Sequence, residues 1–147
     1  MEALRRRYLA HQVETASPPQ RLLLLFGRLQ RDLHTADTGF DHGDLKVVSD
    51  ALVHAQQILL ILRDSLGSTD WAGAAGLRAV YGFLHDRLVA ANVTKDRSLL
   101  PDCVDIVCRI ADANARALTA LSNQAHSNQA LSNQAQSTPS PAAAPVA

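Results

Sequence analysis

Four stretches of this chain repeat apolar residues at three- and four-residue spacing, and none alternates with a period of two over a useful length. Such spacing puts side chains on one face of a helix, whereas a strand needs alternation. The stripes are Leu22, Leu25, Phe26, Leu29 and Leu33; Val48, Leu52, Ala55, Leu59, Leu62 and Leu66; Leu77, Val80, Tyr81, Leu84 and Leu88; and Leu100, Val104, Val107, Ala111 and Leu118. An all-α fold follows. Four helices of similar length joined by short loops predict an antiparallel up-down four-helix bundle, with a short N-terminal helical segment over residues 2–12. Composition agrees, because the chain is 47% hydrophobic but 4% aromatic, and the difference is made up by 24 Ala and 22 Leu, both strong helix formers.

Capping signals set the expected boundaries. Ser17-Pro18-Pro19 opens the first helix, since Ser17 can cap and proline in the first turn forfeits no hydrogen bond. That helix is expected to reach Ala36, with Gly39 and Asp41-His42-Gly43-Asp44 as a turn. The second runs from about Asp44 to Leu66 and ends on Gly67-Ser68. Trp71–Gly76 is Gly-rich and expected to be partly helical, with the third helix continuing to Asn92. Ser98 is the expected cap of the fourth, which reaches Leu121. From Ser122 onward there is no Lys, Arg, Asp or Glu, Ser-Asn-Gln-Ala occurs three times, and Pro139, Pro141 and Pro145 follow. The sequence therefore predicts a helical domain over residues 1–121 and a disordered low-complexity tail over 122–147.

Several functions are disfavoured. Net charge is +0, which gives no electrostatic case for nucleic acid. There is no run of about 18 apolar residues, so no membrane span is expected. Arg5-Arg6-Arg7 is followed by a stretch too short and polar for a signal peptide. Cys103 and Cys108 make neither a disulfide framework nor a zinc pattern, which suits a reducing cytoplasm. The only glutamates are Glu2 and Glu14, both before the first helix, so a carboxylate-bridged di-metal centre is disfavoured. His11, His34, His42, His54, His85 and His126 are scattered. His34 and Asp37 could share a helix face, but one pair does not make a metal site. His54 lacks the basic neighbours of a phosphotransfer histidine. No nucleophile motif or phosphate loop is present. No metal, no cofactor and no enzyme activity are expected.

Two features point instead to a partner. Leu24, Val47, Ile61 and Phe83 are apolar residues that fall outside the core stripes, and Ile106 and Ile110 widen the last stripe to one flank. Several such residues on different helices can form a groove for another chain. Charge is also uneven: residues 1–31 hold six Arg and two Glu, whereas residues 32–70 hold two bases and seven Asp. The N-terminal arm, or a partner, is expected to lie across the acidic stretch.

Tyr8 followed by Val13-Glu14-Thr15-Ala16-Ser17-Pro18-Pro19-Gln20-Arg21-Leu22-Leu23 resembles the start of the flagellar secretion chaperone FliS family. Ala55-Gln56-Gln57-Ile58 through Leu66 resembles that family's second helix, and Leu77, Val80-Tyr81-Gly82-Phe83-Leu84, Leu88 and Ala91-Asn92 resemble the next. The similarity runs collinearly over about residues 8–115, with Asp96 also in place. Gly27 and Gly82 stand where the family often has Asp, and Asn114 stands at its late Trp. The resemblance implies a cytoplasmic, non-enzymatic bundle, monomeric or weakly dimeric, that binds the disordered C-terminal segment of flagellin. Binding would prevent premature polymerisation and keep flagellin competent for export. The resemblance also implies contact with the export gate and, in some members, the anti-sigma factor FlgM. A regulatory or scaffold bundle that binds FlgM instead of flagellin is the alternative. Tyr8 and Thr15 match positions in the family's mobile N-terminal segment. With Leu24, Val47, Ile61 and Phe83 they form the expected partner-binding set.

Overall fold

The computed structural model describes residues 2–7, 18–67 and 71–137. All regular structure among them is helical: α1 (residues 2–7), α2 (Pro18–Asp41), α3 (Leu45–Ser65), α4 (Ala74–Thr94) and α5 (Leu100–Ser137), with a single 3-10 turn at Arg97–Leu99. The chain divides into two compact units, residues 1–112 and 113–147.

The first unit is built around α3. Val48, Ala51, Leu52, Ala55, Ile58, Leu59 and Leu62 of that helix are buried. They meet Phe26, Leu29, Leu33 and Ala36 of α2, Tyr81, Leu84, Leu88 and Ala91 of α4, and Leu100, Cys103, Val107 and Ala111 of α5. Phe26 and Tyr81 are the aromatic pair of this core, with ring centroids 6.4 Å apart. The alanines allow close approach of backbones, and the leucines fill the volume between them. Leu22, Leu25, Leu66, Leu77 and Val80 are only partly buried, at the edge of the same cluster. By length and composition α3 is also apolar enough to cross a bilayer. Its stripe is instead spent on the protein interior, and it carries Lys46, Asp50, Arg63 and Asp64.

Several helix ends carry specific backbone or side-chain caps. Gly43 takes φ +66° between α2 and α3, a left-handed conformation that favours glycine. Asp44 then accepts the Val47 amide at 3.1 Å as the α3 N-cap. Gly67, at φ +56°, follows α3. Lys95 ends α4 in the left-handed region, and its ammonium donates to Ser49 Oγ and Asn92 Oδ1. The start of α3 therefore lies beside the end of α4.

Two boundaries in this unit differ from expectation. Helix α2 continues five residues beyond Ala36 and includes Gly39. A Cβ on Gly39 would lie 2.9 Å from Val48 Cγ2 and 3.2 Å from the Val48 amide, so this glycine permits helix contact rather than a turn. The cap before α5 is Asp96, which accepts the Ser98 amide at 2.9 Å and the Ser98 hydroxyl at 2.6 Å. These bonds hold the Asp96 carboxyl below its ordinary range. Ser98 itself is thus a donor, not the cap. The expected Ser17 cap lies outside the described residues.

Glycines within α2 yield a paired prediction. Gly39→Ala should destabilise, because overpacking of about 1–3 kcal/mol outweighs a helix-propensity gain of about 0.5–1 kcal/mol. A Cβ on Gly27 meets nothing within 4 Å, so Gly27→Ala should stabilise by about 0.5–1 kcal/mol. Thermal melts should move in opposite directions; shifts of one sign would contradict the tight crossing at Gly39.

In the second unit, α5 is helical to Ser137, which corrects the expectation of disorder for residues 122–137. No glycine or proline occurs from Asp102 to Thr138, and Ala, Leu and Gln favour helix. Residues 119–137 are exposed throughout. A five-residue repeat advances by about 140° on a helix turning about 100° per residue, so Ala125, Ala130 and Ala135 spread around it and form no stripe. Residues 138–147 lie outside the described residues.

Candidate partner-binding surface

Helix geometry divides the off-stripe apolar residues between different flanks. Val47 and Ile61 lie seven residues on either side of His54, so all three share one flank of α3. That flank faces α2, because His54 Nδ1 donates to Asp32 Oδ2 at 2.5 Å. Asp32 is the buried charged residue among those described, and Arg28 lies 3.4 Å from its other oxygen. Val47 is 37% exposed and Ile61 53%. The structure therefore places both on the α2–α3 seam but about 21 Å apart along α3, with a polar cluster between them.

Phe83 belongs to another seam. It is 49% exposed, and the Arg87 guanidinium sits 5.7 Å from its ring centroid. Arg87 also donates to Asp102 of α5 at 3.2 Å, which places Phe83 on the side of α4 that faces α5. Val80, Ile106 and Ile110 are partly buried against the core. Leu24 is half-buried on α2. Tyr8 and Thr15 lie outside the described residues.

Sequence reasoning placed Val104 in the core, and the structure corrects this. Cys103 is buried at that level and Val104 is 37% exposed. The stripe on α5 runs 100, 103, 107, 111, with Cys103 buried as free cysteine commonly is. Val104 lines a groove of about 540 Å³ between α2 and α5, together with Leu33, His34, Leu100 and Cys108. Gln30 Nε2 spans it to Cys108 Sγ at 3.4 Å.

Electrostatics on this side are set by Arg97. Its Nε and Nη1 lie 2.7 Å from Asp37 and Asp41, the acidic residues that end α2. The hydrogen bond from Arg97 holds the Asp37 carboxyl below its ordinary range. The described part of the N-terminal arm meets the acidic stretch at its first member: Arg5 and Arg6 line a pocket with Asp32 and Thr35, beside Arg28 and Arg31. Among the described residues no group of three or more His, Cys, Asp or Glu could hold a metal ion.

Comparison with known proteins agrees with an all-helical fold. The family profile of the flagellar protein FliS matches residues 1–120. The chain belongs to the FliS family. It is also 26% identical over 127 residues to the flagellar secretion chaperone FliS of Bacillus subtilis (strain 168), covering 84% of this chain and 95% of that one. FliS is a family of chaperones, not of enzymes. Gly27 and Gly82 are open: a Cβ at either meets nothing within 4 Å.

Proposed function

We propose that this protein is a cytosolic flagellar export chaperone whose helical domain, an antiparallel up-down four-helix bundle over residues 1–121, binds the disordered C-terminal segment of flagellin. Membership of the FliS family supports the general role. The observation that carries the finer reading is the exposure of Val47, Ile61 and Phe83 on two different seams. An extended segment that folds as it binds can lay short amphipathic helices into successive grooves. Ordering such a segment costs several kcal/mol, so contact on more than one seam is needed. Phe83 is the central anchor, since its ring is presented with Arg87 stacked beside it and aromatic and Arg side chains dominate binding hot spots. Tyr8, Thr15 and Leu24 complete the contact set from the N-terminal side. Masking the segment blocks polymerisation and keeps it export-competent. The export gate and FlgM are further partners. The chaperone acts as a monomer or weak dimer, without cofactor, metal or catalysis.

Calorimetry with a peptide of the cognate flagellin's C-terminal segment tests this. Binding should carry a large negative heat-capacity change. Phe83→Asp, and separately Val47→Asp with Ile61→Asp, should each weaken it by about tenfold or more, as loss of a hot spot does. The two losses should add, since the substituted residues lie on different seams of the bundle. Absence of binding by the wild-type chain would refute the flagellin reading. Full affinity in both variants would refute the surface assignment.

A further inference from the structure

Helix α1 and one face of α2 enclose a pocket of about 320 Å³ lined by Glu2, Arg5, Arg6, Arg28, Arg31, Asp32 and Thr35. Four guanidinium groups and two carboxylates meet there, an excess of two positive charges. One carboxylate is already engaged: Asp32 is held by His54 on one oxygen and by Arg28 on the other. No ion pair within 4.0 Å joins Glu2 to Arg5, Arg6 or Arg31 among the described residues. Three forks thus converge from two helices with no carboxylate bound to them. Meanwhile Asp37 and Asp41, the nearest acidic alternative along α2, are taken by Arg97.

Bringing like charges together is unfavourable unless an anion sits between them. All four are arginines, whose rigid planar fork matches tetrahedral and planar oxyanions bidentately, where lysine would offer only a point charge. The Thr35 hydroxyl adds a neutral donor on the same wall. A pocket of this size suits a compact ion or the end of a larger molecule, whereas an acidic peptide strand would need an extended groove. We propose that this pocket binds a phosphate-class oxyanion, either inorganic phosphate or the terminal phosphoryl group of a nucleotide, which bridges α1 to α2. Arg5 and Arg6 grip it from α1, and Arg31 and Thr35 from α2. Arg28 shares its charge between the ion and Asp32.

Calorimetric titration of the full chain with sodium phosphate, against sodium chloride of equal ionic strength, tests the site. Phosphate should bind with a dissociation constant at or below about 1 mM. Arg31→Ala, and the pair Arg5→Ala with Arg6→Ala, should each weaken it by about tenfold or more, the loss expected for a charge-assisted hydrogen bond. Arg109→Ala, on α5, should leave it unchanged. The altered side chains are exposed, and far-ultraviolet circular dichroism should show the wild-type helix content. Phosphate should also slow tryptic cleavage after Arg5 and Arg6, which follows from bridging and not from general charge screening. ATP binding about tenfold tighter than phosphate assigns the phosphoryl end of a nucleotide. Equal affinity assigns the free ion. Chloride reproducing the effect, full affinity in both variants, or binding of a hexaglutamate peptide without binding of phosphate would each overturn the proposal.

Discussion

Leu59→Ala is expected to cost about 2–5 kcal/mol, the range for truncating a fully buried leucine. Leu59 is 1% exposed and sits in the second turn from the end of α3, the helix that packs on both α2 and α4. Its removal opens a cavity between three helices, none of which can close in without disturbing the others. A domain of this size has a total stability of about 5–15 kcal/mol, so the variant should unfold at much lower urea. The partner measurement is Ile61→Ala, two residues away. Ile61 is 53% exposed, and its truncation should stay within about 0.5 kcal/mol. Equal losses at the two positions would mean that α3 does not bury the face assigned to it.

That contrast was legible in the sequence because α3 has a wide, regular stripe. Val48, Leu52, Ala55, Leu59 and Leu62 recur at four-, three-, four- and three-residue spacing, and all are buried. The ends were less legible, since they depend on neighbours. Gly39 reads locally as a turn residue, yet helix contact with Val48 is what requires a hydrogen there. Residues 122–137 read as disordered from their polarity, yet they contain nothing that breaks a helix and nothing that packs one. The candidate surface was legible residue by residue but not as a shape. Helical wheels found Val47, Ile61 and Phe83. Only cross-helix partners such as Asp32 and Asp102 show that they serve two seams. The placement of Arg5 and Arg6 was legible only coarsely: the charge pattern pointed to the acidic stretch, and they meet it at Asp32, whereas Arg97 engages Asp37 from 60 residues away.

Alkaline pH is expected to destabilise the protein from about pH 9 upward, through two buried acids. Burial pushes the Cys103 thiol from 9.0 up to about 11, opposed weakly by Arg87 and helped by Asp102. Burial likewise pushes the Tyr81 phenol from 10.0 up to about 12. Both groups are neutral in folded and unfolded chains below pH 8 and then contribute nothing. Between 9 and 11 the unfolded chain releases the Cys103 proton while the folded chain holds it. The unfolded state then binds fewer protons, so stability falls as pH rises. Tyr81 adds the same sign between 10 and 12. Each pH unit is worth about 1.4 kcal/mol per group, so the two together remove several kcal/mol by pH 12. Urea unfolding at intervals from pH 7 to 11.5 should show this slope. Cys103→Ala should flatten it between 9 and 11, despite a lower stability at pH 7 from the lost sulfur. Tyr81→Phe should flatten it above 10. A Cys103→Ala protein that keeps the wild-type slope from pH 9 to 10 would show that the thiol is not where the core places it, between α5 and the helices it packs against.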